Sequence, residues 1–202
     1  MGVRESPSKW LWAALLAWLV LIAASVNLLW KYKSTPGAPA RAPVEWPEGT
    51  RIVRAADRLT LLFFAHPRCT CTRASLDELA SLLTQHPRRL SARVVFVRPG
   101  GVGEHWIESD TYAMAGSLEG VQRIVDQEGA EARRFGVVTS GTALLYDARG
   151  HLLFNGGITG ARGHVGDNLG RARLSALVGG GLADRRESPV FGCELEGRGA
   201  AP

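Results

Sequence analysis

The stretch LLFFAHPRCTCTRASLDE, residues 61–78, decides the fold because it joins three local signals in a short space. Its first residues belong to an apolar run that ends at Ala65 and predicts a short buried strand. At its other end, the S-x-x-E pattern that begins at Ser75 predicts the start of a helix. Two cysteines, Cys69 and Cys71, fall between them. The stretch therefore predicts a strand, a cysteine-bearing loop and a helix, in that order.

Elements further along the chain indicate the fold class. Residues 92–97 are mostly branched or aromatic and predict a second buried strand. Residues 142–154 contain two apolar runs around a turn and predict a β-hairpin, and residues 167–178 predict a closing helix. The full order is β-α-β-α-β-(α)-β-β-α. We therefore expect an α/β domain in which helices flank a mixed sheet.

An uncharged, mostly apolar run extends from Trp10 to Trp30. As a helix it would be about 31 Å long, which matches a bilayer core of roughly 30 Å. Lysines flank both ends, and the apolar run continues past the small residues 23–25, so a retained anchor is favoured over a cleaved signal peptide. We expect a single-pass protein of the inner (cytoplasmic) membrane with its soluble domain in the periplasm.

Composition also predicts the boundaries along the chain. The Pro- and Ala-rich residues after the apolar run are typical of an extended linker, and the Gly-rich, charged residues at the far end are typical of a tail. The predicted parts are an N-terminal flank (1–9), a transmembrane anchor (10–30), a linker (31–47), the folded domain (48–180) and a C-terminal tail (181–202) that contains Cys193.

The charge distribution argues against nucleic acid as a partner. The chain has a net charge of +5, and residues 1–43 carry +4 of it, so the rest is nearly neutral and has no basic stripe. The Gly-rich residues 156–168 lack the lysine of a phosphate-binding loop, so we expect no nucleotide. These residues either form an irregular connection between the hairpin and the closing helix, or they place Arg162 and His164 beside the cysteines.

The cysteines carry the predicted chemistry. A helix N-terminus stabilises a thiolate at Cys69 or Cys71, and His66 is a candidate proton relay. Two thiols one residue apart close only a tight disulfide ring, which should be reducible. Cys193 is a candidate relay that could resolve a mixed disulfide, pair with either of the other two, or stay free. The sequence does not place it in space.

A metal interpretation uses the same residues. Two thiolates suit Cu(I), and His164 or His66 is a candidate third ligand beside Cys69 and Cys71. On this alternative the chain is a copper-binding metallochaperone or assembly factor. Otherwise we expect no cofactor.

Residues 61–78 resemble the active-site strand, loop and helix of thioredoxin-like proteins, and EARRFGVVTSGTALLYD, residues 131–147, resembles their later cis-proline loop and strand. With the anchor, the chain resembles membrane-tethered thioredoxin-like proteins of the bacterial envelope. The segments HPRCTCTRAS, TSGTALLYD, GGITGARGHVGDN and PVFGC are similar to the group often labelled RedB. Two departures stand out: C-x-C replaces C-x-x-C, and Gly141 occupies the cis-proline position.

The resemblance implies a thiol–disulfide oxidoreductase that acts on thiols or disulfides of envelope proteins. We expect Cys69 to attack and Cys71 to resolve, although the reverse assignment stays open because Cys71 lies closer to the helix. A non-enzymatic interaction domain is the second alternative, and the glycine at position 141 is its best support.

Overall fold

The structure, a computed structural model, describes residues 9–196, and the chain divides into two compact units, residues 1–35 and 36–202. The first unit contains helix α1, Lys9–Ser34, which includes the predicted anchor. Its most apolar window has a mean hydropathy of 2.1, and none of that window is buried. Within residues 9–196, α1 is the one helix that length and composition allow to cross a membrane.

The second unit is an α/β domain. Its strands are β1 (Leu59–Ala65), β2 (Leu90–Arg98), β3 (Val121–Gln127), β4 (Thr142–Tyr146), β5 (Leu152–Gly157) and β6 (Glu187–Ser188). Its helices are α2 (Thr70–Gln85), α3 (Asp110–Ser117), α4 (Ala130–Arg134) and α5 (Leu169–Val178), with a 3-10 turn at Glu104–Trp106.

The six strands form one mixed sheet in the order β3-β2-β1-β4-β5-β6. Strands β1, β2 and β3 are parallel, β4 is antiparallel to its neighbours β1 and β5, and β6 is parallel to β5. This sheet with flanking helices confirms the predicted fold class. The carboxyl end of β1 leads into the cysteine loop, so the sheet fixes where that loop lies.

The side chains of the central strands form a hydrophobic core on each face of the sheet, because successive side chains of a strand point to opposite faces. Phe63 of β1 belongs to the core that α2 and α5 cover, whereas its neighbour Phe64 belongs to the opposite core. The second core is closed by α4, by residues on the amino side of β1, and by Leu195 of the predicted tail. Both faces of β1 are therefore buried from Thr60 to Ala65.

Helix α2 starts earlier than the capping-box pattern predicts. It begins at Thr70 with Cys69 as its N-cap residue, so Ser75 and Glu78 lie inside the helix. Ser75 Oγ donates to the carbonyl of Cys71, and the buried Glu78 forms an ion pair with the half-buried Arg171 at 2.6 Å. The prediction of a start at Ser75 was wrong because both side chains have other partners. Cys71 therefore lies in the first turn of the helix.

The residues predicted as a linker are largely part of the folded unit. Helix α1 continues to Ser34, and the compact domain begins at Pro36. We call residues 36–46 the docked segment. Its backbone carbonyls accept hydrogen bonds from the domain, including one from Asn155 Nδ2 to Ala40 at 2.9 Å and one from Tyr146 Oη to Pro43 at 3.0 Å. The folded domain therefore starts before residue 48.

We predict that Trp46→Ala lowers the free energy of unfolding by about 2–3 kcal/mol, somewhat below the range for a fully buried aromatic. The Trp46 ring packs edge-on against Phe135 and Tyr146, with centroids 5.2 and 5.0 Å apart. Denaturant unfolding of the full chain in detergent measures the effect. Val44→Ala is the matched control, because Val44 lies in the same segment and is 73% exposed. Equal stability of the two variants would contradict the docking of this segment.

Candidate active site

The cysteine loop lies at the junction of β1 and α2. Cys69 has extended backbone angles as the N-cap residue, and its N–H donates to the carbonyl of His66 at 3.1 Å. Its own carbonyl accepts from the N–H of Thr72 at 3.0 Å, which opens the helix. Cys69 and Cys71 are 2% and 6% exposed. Both sulfurs are thus held at the positive end of the helix dipole and shielded from water.

Cys193 joins them from the far end of the domain. Its Sγ lies 2.7 Å from Cys69 Sγ, although 124 residues separate the two in sequence. Cys71 also interacts through its thiol with both other sulfurs. All three cysteines are free thiols in this structure. The structure therefore brings together all three predicted cysteines and places Cys193, which the sequence leaves open.

Cys193 is held there by a short segment that we call the tail segment, residues 189–196. Its backbone pairs antiparallel with residues 138–140: the N–H of Ser140 donates to the carbonyl of Cys193 at 2.8 Å, and the N–H of Leu195 donates to the carbonyl of Val138 at 2.9 Å. Gly192 packs so closely on Ser140 that a Cβ there would overlap the Ser140 carbonyl oxygen. Glycine at position 192 is therefore a packing requirement.

The hydrogen bonds among the sulfurs separate their pKa values. The hydrogen bond from Cys193, aided by one from Cys71, holds the pKa of Cys69 far below its usual range despite burial. The same contacts with Cys69 and Cys71, together with burial, raise the pKa of Cys193 well above that range. For Cys71, the contact with Cys193 lowers the pKa, but the contact with Cys69, burial and the Cys69 charge together raise it. These contacts favour the thiolate form at Cys69 more than at Cys71 or Cys193.

Arg162 reaches this cluster from the loop between β5 and α5. Its guanidinium donates to the backbone carbonyl of Gly192 and so holds the tail segment. Its charge also acts on the pKa of Cys71 in the lowering direction. The Gly-rich loop thus contributes Arg162 to the cysteine site.

His164, the other candidate of that loop, is exposed, and its ring lies beside Gly160 and Gly166 of its own loop. Within residues 9–196, no group of three or more His, Cys, Asp or Glu side chains is arranged to hold a metal ion. The copper site of Cys69, Cys71 and His164 stays a prediction.

His66 is fully buried under the cysteine loop. Its Nδ1 accepts the backbone N–H of Arg68 at 3.1 Å, and its carbonyl accepts from both Cys69 and Thr72. Its own N–H donates to Ser140 Oγ at 2.9 Å, which links the cysteine loop to residues 138–140, the residues that the tail segment contacts. These hydrogen bonds hold the cysteine loop in place, so His66 has a structural role in the site. Its role as a proton relay stays a prediction.

Gly141 lies next to Ser140, as the resemblance implies for the cis-proline position. Its N–H donates to the carbonyl of Phe64 at 2.8 Å, and its φ is +91°. The peptide bonds of residues 9–196 are all trans. A proline could neither donate this hydrogen bond nor adopt this φ, so the glycine is explained by the local backbone.

Ser140, Gly192 and Trp106 belong to the site but were not predicted as site residues. Trp106 stacks under the guanidinium of Arg68 at 4.0 Å and lies 6.0 Å from the His66 ring. The sequence signal for Gly192 was its position directly before a cysteine. For Ser140 and Trp106 the sequence carries no comparable signal, because their contacts join loops that are distant along the chain.

Comparison with known proteins identifies the fold. A hypothetical protein from Sinorhizobium meliloti 1021 is 19% identical, with a TM-score of 0.59 over 80% of this chain and 94% of that chain. An uncharacterized conserved protein from Geobacillus kaustophilus is 16% identical, with a TM-score of 0.57 over 83% and 95%. A thioredoxin-like protein in the oxidized form is 15% identical, with a TM-score of 0.45 over 69% and 93%. No protein-family model and no curated protein matches the chain.

The predicted α/β fold with helices that flank a mixed sheet is confirmed by the sheet order. Two proteins share this overall fold with TM-scores of 0.59 and 0.57. Identities this low show the fold alone. The narrower resemblance to the RedB group stays a prediction.

We predict that Gly141→Ala lowers the free energy of unfolding by about 1–2 kcal/mol, because an L-residue is strained at this positive φ. The space around the added Cβ is adequate, since the nearest atom, Ser75 Oγ, would be 3.5 Å away. Gly141→Pro should cost about 3 kcal/mol or more, because it also removes the hydrogen bond to Phe64. Denaturant unfolding of the full chain in detergent compares the two. A proline variant as stable as the alanine variant would contradict this account.

We also predict that Cys193→Ala raises the pKa of Cys69, because alanine removes the largest stabilising hydrogen bond to its thiolate. Cys193→Ser is the matched control, since its hydroxyl keeps a donor and should keep the pKa of Cys69 low. Thiolate absorbance near 240 nm, followed against pH in the full chain, measures both. If the alanine variant titrates like the wild type, Cys193 does not stabilise the Cys69 thiolate.

Proposed function

We propose that this chain is a membrane-tethered thiol–disulfide oxidoreductase of the bacterial envelope, in which Cys69 attacks and Cys193 resolves. The observation that supports it best is the 2.7 Å contact between the two sulfurs, which pairs a thiolate with a thiol. Helix α1 is the proposed tether, and an oxidising compartment such as the periplasm would let the disulfide persist.

The proposed reaction is a two-step exchange. The Cys69 thiolate attacks one sulfur of a partner protein's disulfide, forms a mixed disulfide and releases the other partner sulfur as a thiolate. Cys193, once deprotonated, then attacks Cys69 Sγ and releases the second partner sulfur. The partner gains two electrons and the chain loses two, stored as a Cys69–Cys193 disulfide. In the reverse direction, the oxidised chain oxidises a partner dithiol.

The geometry favours Cys193 over Cys71 as the resolving thiol, although the sequence favoured Cys71. A Cys69–Cys71 disulfide would close a tight ring around a single residue, whereas Cys193 approaches from an independent segment. In this proposal Cys71 supports the charge on Cys69 through its hydrogen bond.

We expect the full chain in detergent to show a two-electron transition in graded glutathione buffers. Trapping, mass measurement and peptide mapping should identify a Cys69–Cys193 disulfide, because these sulfurs are already in contact. Cys71→Ser should keep the transition, and Cys193→Ser should lose it or move it to a different potential.

Two results would contradict the assignment. If Cys71→Ser abolishes the transition and Cys193→Ser preserves it, Cys71 is the resolving residue. If all three thiols stay reduced in every buffer, exchange chemistry is absent. Stoichiometric Cu(I) binding would then support the metallochaperone alternative, and its absence would support a non-enzymatic interaction domain.

A further inference from the structure

We propose that Glu78 is a positioning residue of the exchange reaction, because it fixes the loop whose Arg162 side chain holds Cys193 against Cys69. This inference rests on the proposed reaction between these two cysteines. It adds a residue outside the cysteine cluster that sets how readily the disulfide forms.

The carboxylate of Glu78 is buried and has a partner for each of its oxygens. The residue is 2% exposed, although it lies inside a helix. Its Oε1 accepts the backbone N–H of Gly166 at 2.6 Å, and its Oε2 pairs with Arg171 Nε at 2.6 Å. A buried charge is stable only with such partners. Glu78 therefore ties α2 to two elements that are distant along the chain.

Gly166 is the point at which Glu78 holds the β5–α5 loop, residues 158–168. The N–H of Gly166 donates to Glu78, and its carbonyl accepts from Asn168 Nδ2 at 3.0 Å. Asn168 is itself held, because its Oδ1 accepts the N–H of Arg171 at 2.8 Å as the N-cap of α5. Both backbone groups of Gly166 are thus fixed, and with them the end of the loop that leads into α5.

The sheet fixes the other end of the β5–α5 loop. Gly157 is the last residue of β5, and Ile158 directly after it is fully buried in the core. Between the two fixed ends, the N–H of His164 donates to the carbonyl of Ala161 at 3.2 Å, which closes a turn around Arg162. The position of the Arg162 backbone therefore depends on the attachment at both ends.

Arg162 carries this position to the reacting sulfurs. Its guanidinium donates to the carbonyl of Gly192, which belongs to the same planar peptide unit as the nitrogen of Cys193. The sulfur of Cys193 lies 2.7 Å from that of Cys69. A loop that is free to move away from α2 would hold this peptide less firmly, and the two sulfurs would meet less often.

The consequence concerns the second step of the reaction. Resolution of a mixed disulfide is an intramolecular attack of the Cys193 thiolate on Cys69 Sγ, with the partner sulfur as the leaving group. Its rate and its equilibrium depend on how closely the two sulfurs are held. Loss of the Glu78 attachment should therefore slow resolution and make the finished disulfide easier to reduce, without any change in the chemistry.

The first test measures the reduction potential of the full chain in detergent with graded glutathione buffers. Glu78→Met keeps the length of the side chain but cannot accept the N–H of Gly166. We expect the equilibrium constant for forming the Cys69–Cys193 disulfide to fall about fivefold, the effect of one typical hydrogen bond, which moves the potential by about 20 mV to a less negative value. Glu78→Gln keeps an acceptor oxygen and should stay close to the wild type. Asp77→Asn is the matched control, because it removes a neighbouring, only partly buried carboxylate from the same helix.

The second test asks whether the effect passes through Arg162. Arg162→Gln should itself make the potential less negative, and Glu78→Met should add no further shift to it. A merely structural role of Glu78 would produce the same shift with and without Arg162. If Glu78→Met fails to fold, Asn168→Ala releases the carbonyl of Gly166 instead, and its shift should likewise disappear in the Arg162→Gln chain.

The outcomes separate the two proposals. The positioning role of Glu78 is overturned if Glu78→Met has the potential of Asp77→Asn, if Glu78→Gln shifts as far as Glu78→Met, or if the shift persists in the Arg162→Gln chain. Each of these results leaves the exchange reaction intact. If the wild type shows no two-electron transition, the exchange reaction fails, and the positioning role fails with it. A shift that needs Arg162 and is absent from Glu78→Gln supports the inference.

Discussion

The contact between the sulfurs of Cys69 and Cys193 is the interaction on which the site depends, because it joins a cysteine at a helix N-terminus to a cysteine on a separate segment. The junction of β1 and α2 places Cys69 at the positive end of the helix dipole. The pairing of the tail segment with residues 138–140 brings in the sulfur of Cys193. Without that pairing, Cys69 would lose its principal hydrogen-bond donor. A local motif and a distant segment are therefore parts of one site.

The sequence predicts the local half of this arrangement well. An apolar run followed by cysteines and an amphipathic segment is a pattern within 18 residues, and it places Cys69 and Cys71 correctly at the junction. The position of Cys193 has no such pattern, because it depends on backbone hydrogen bonds and on the absence of a Cβ at Gly192. Backbone pairing between distant segments leaves few side-chain signals in a single sequence.

Two misplaced boundaries have physical causes as well. Ser75 and Glu78 satisfy the spacing of a capping box, but tertiary contacts use Glu78 for an ion pair with Arg171. The Pro- and Ala-rich residues 36–46 lack the periodic apolar side chains that predict packing, yet they pack through their carbonyl oxygens. Proline removes a donor and keeps an acceptor, so a segment of this composition can dock on a domain that offers donors.

The long separation of Cys69 and Cys193 along the chain links the redox reaction to the stability of the fold. A disulfide between them would close a loop of 124 residues, nearly the whole domain. On a chain-entropy argument, closing a loop of this size restricts the unfolded state by about 5 kcal/mol. The linkage works in both directions, because the more firmly the native fold holds the two ends together, the harder the disulfide becomes to reduce. The stability of the domain and its reduction potential would then share one coupling free energy, so a substitution far from either sulfur could change both.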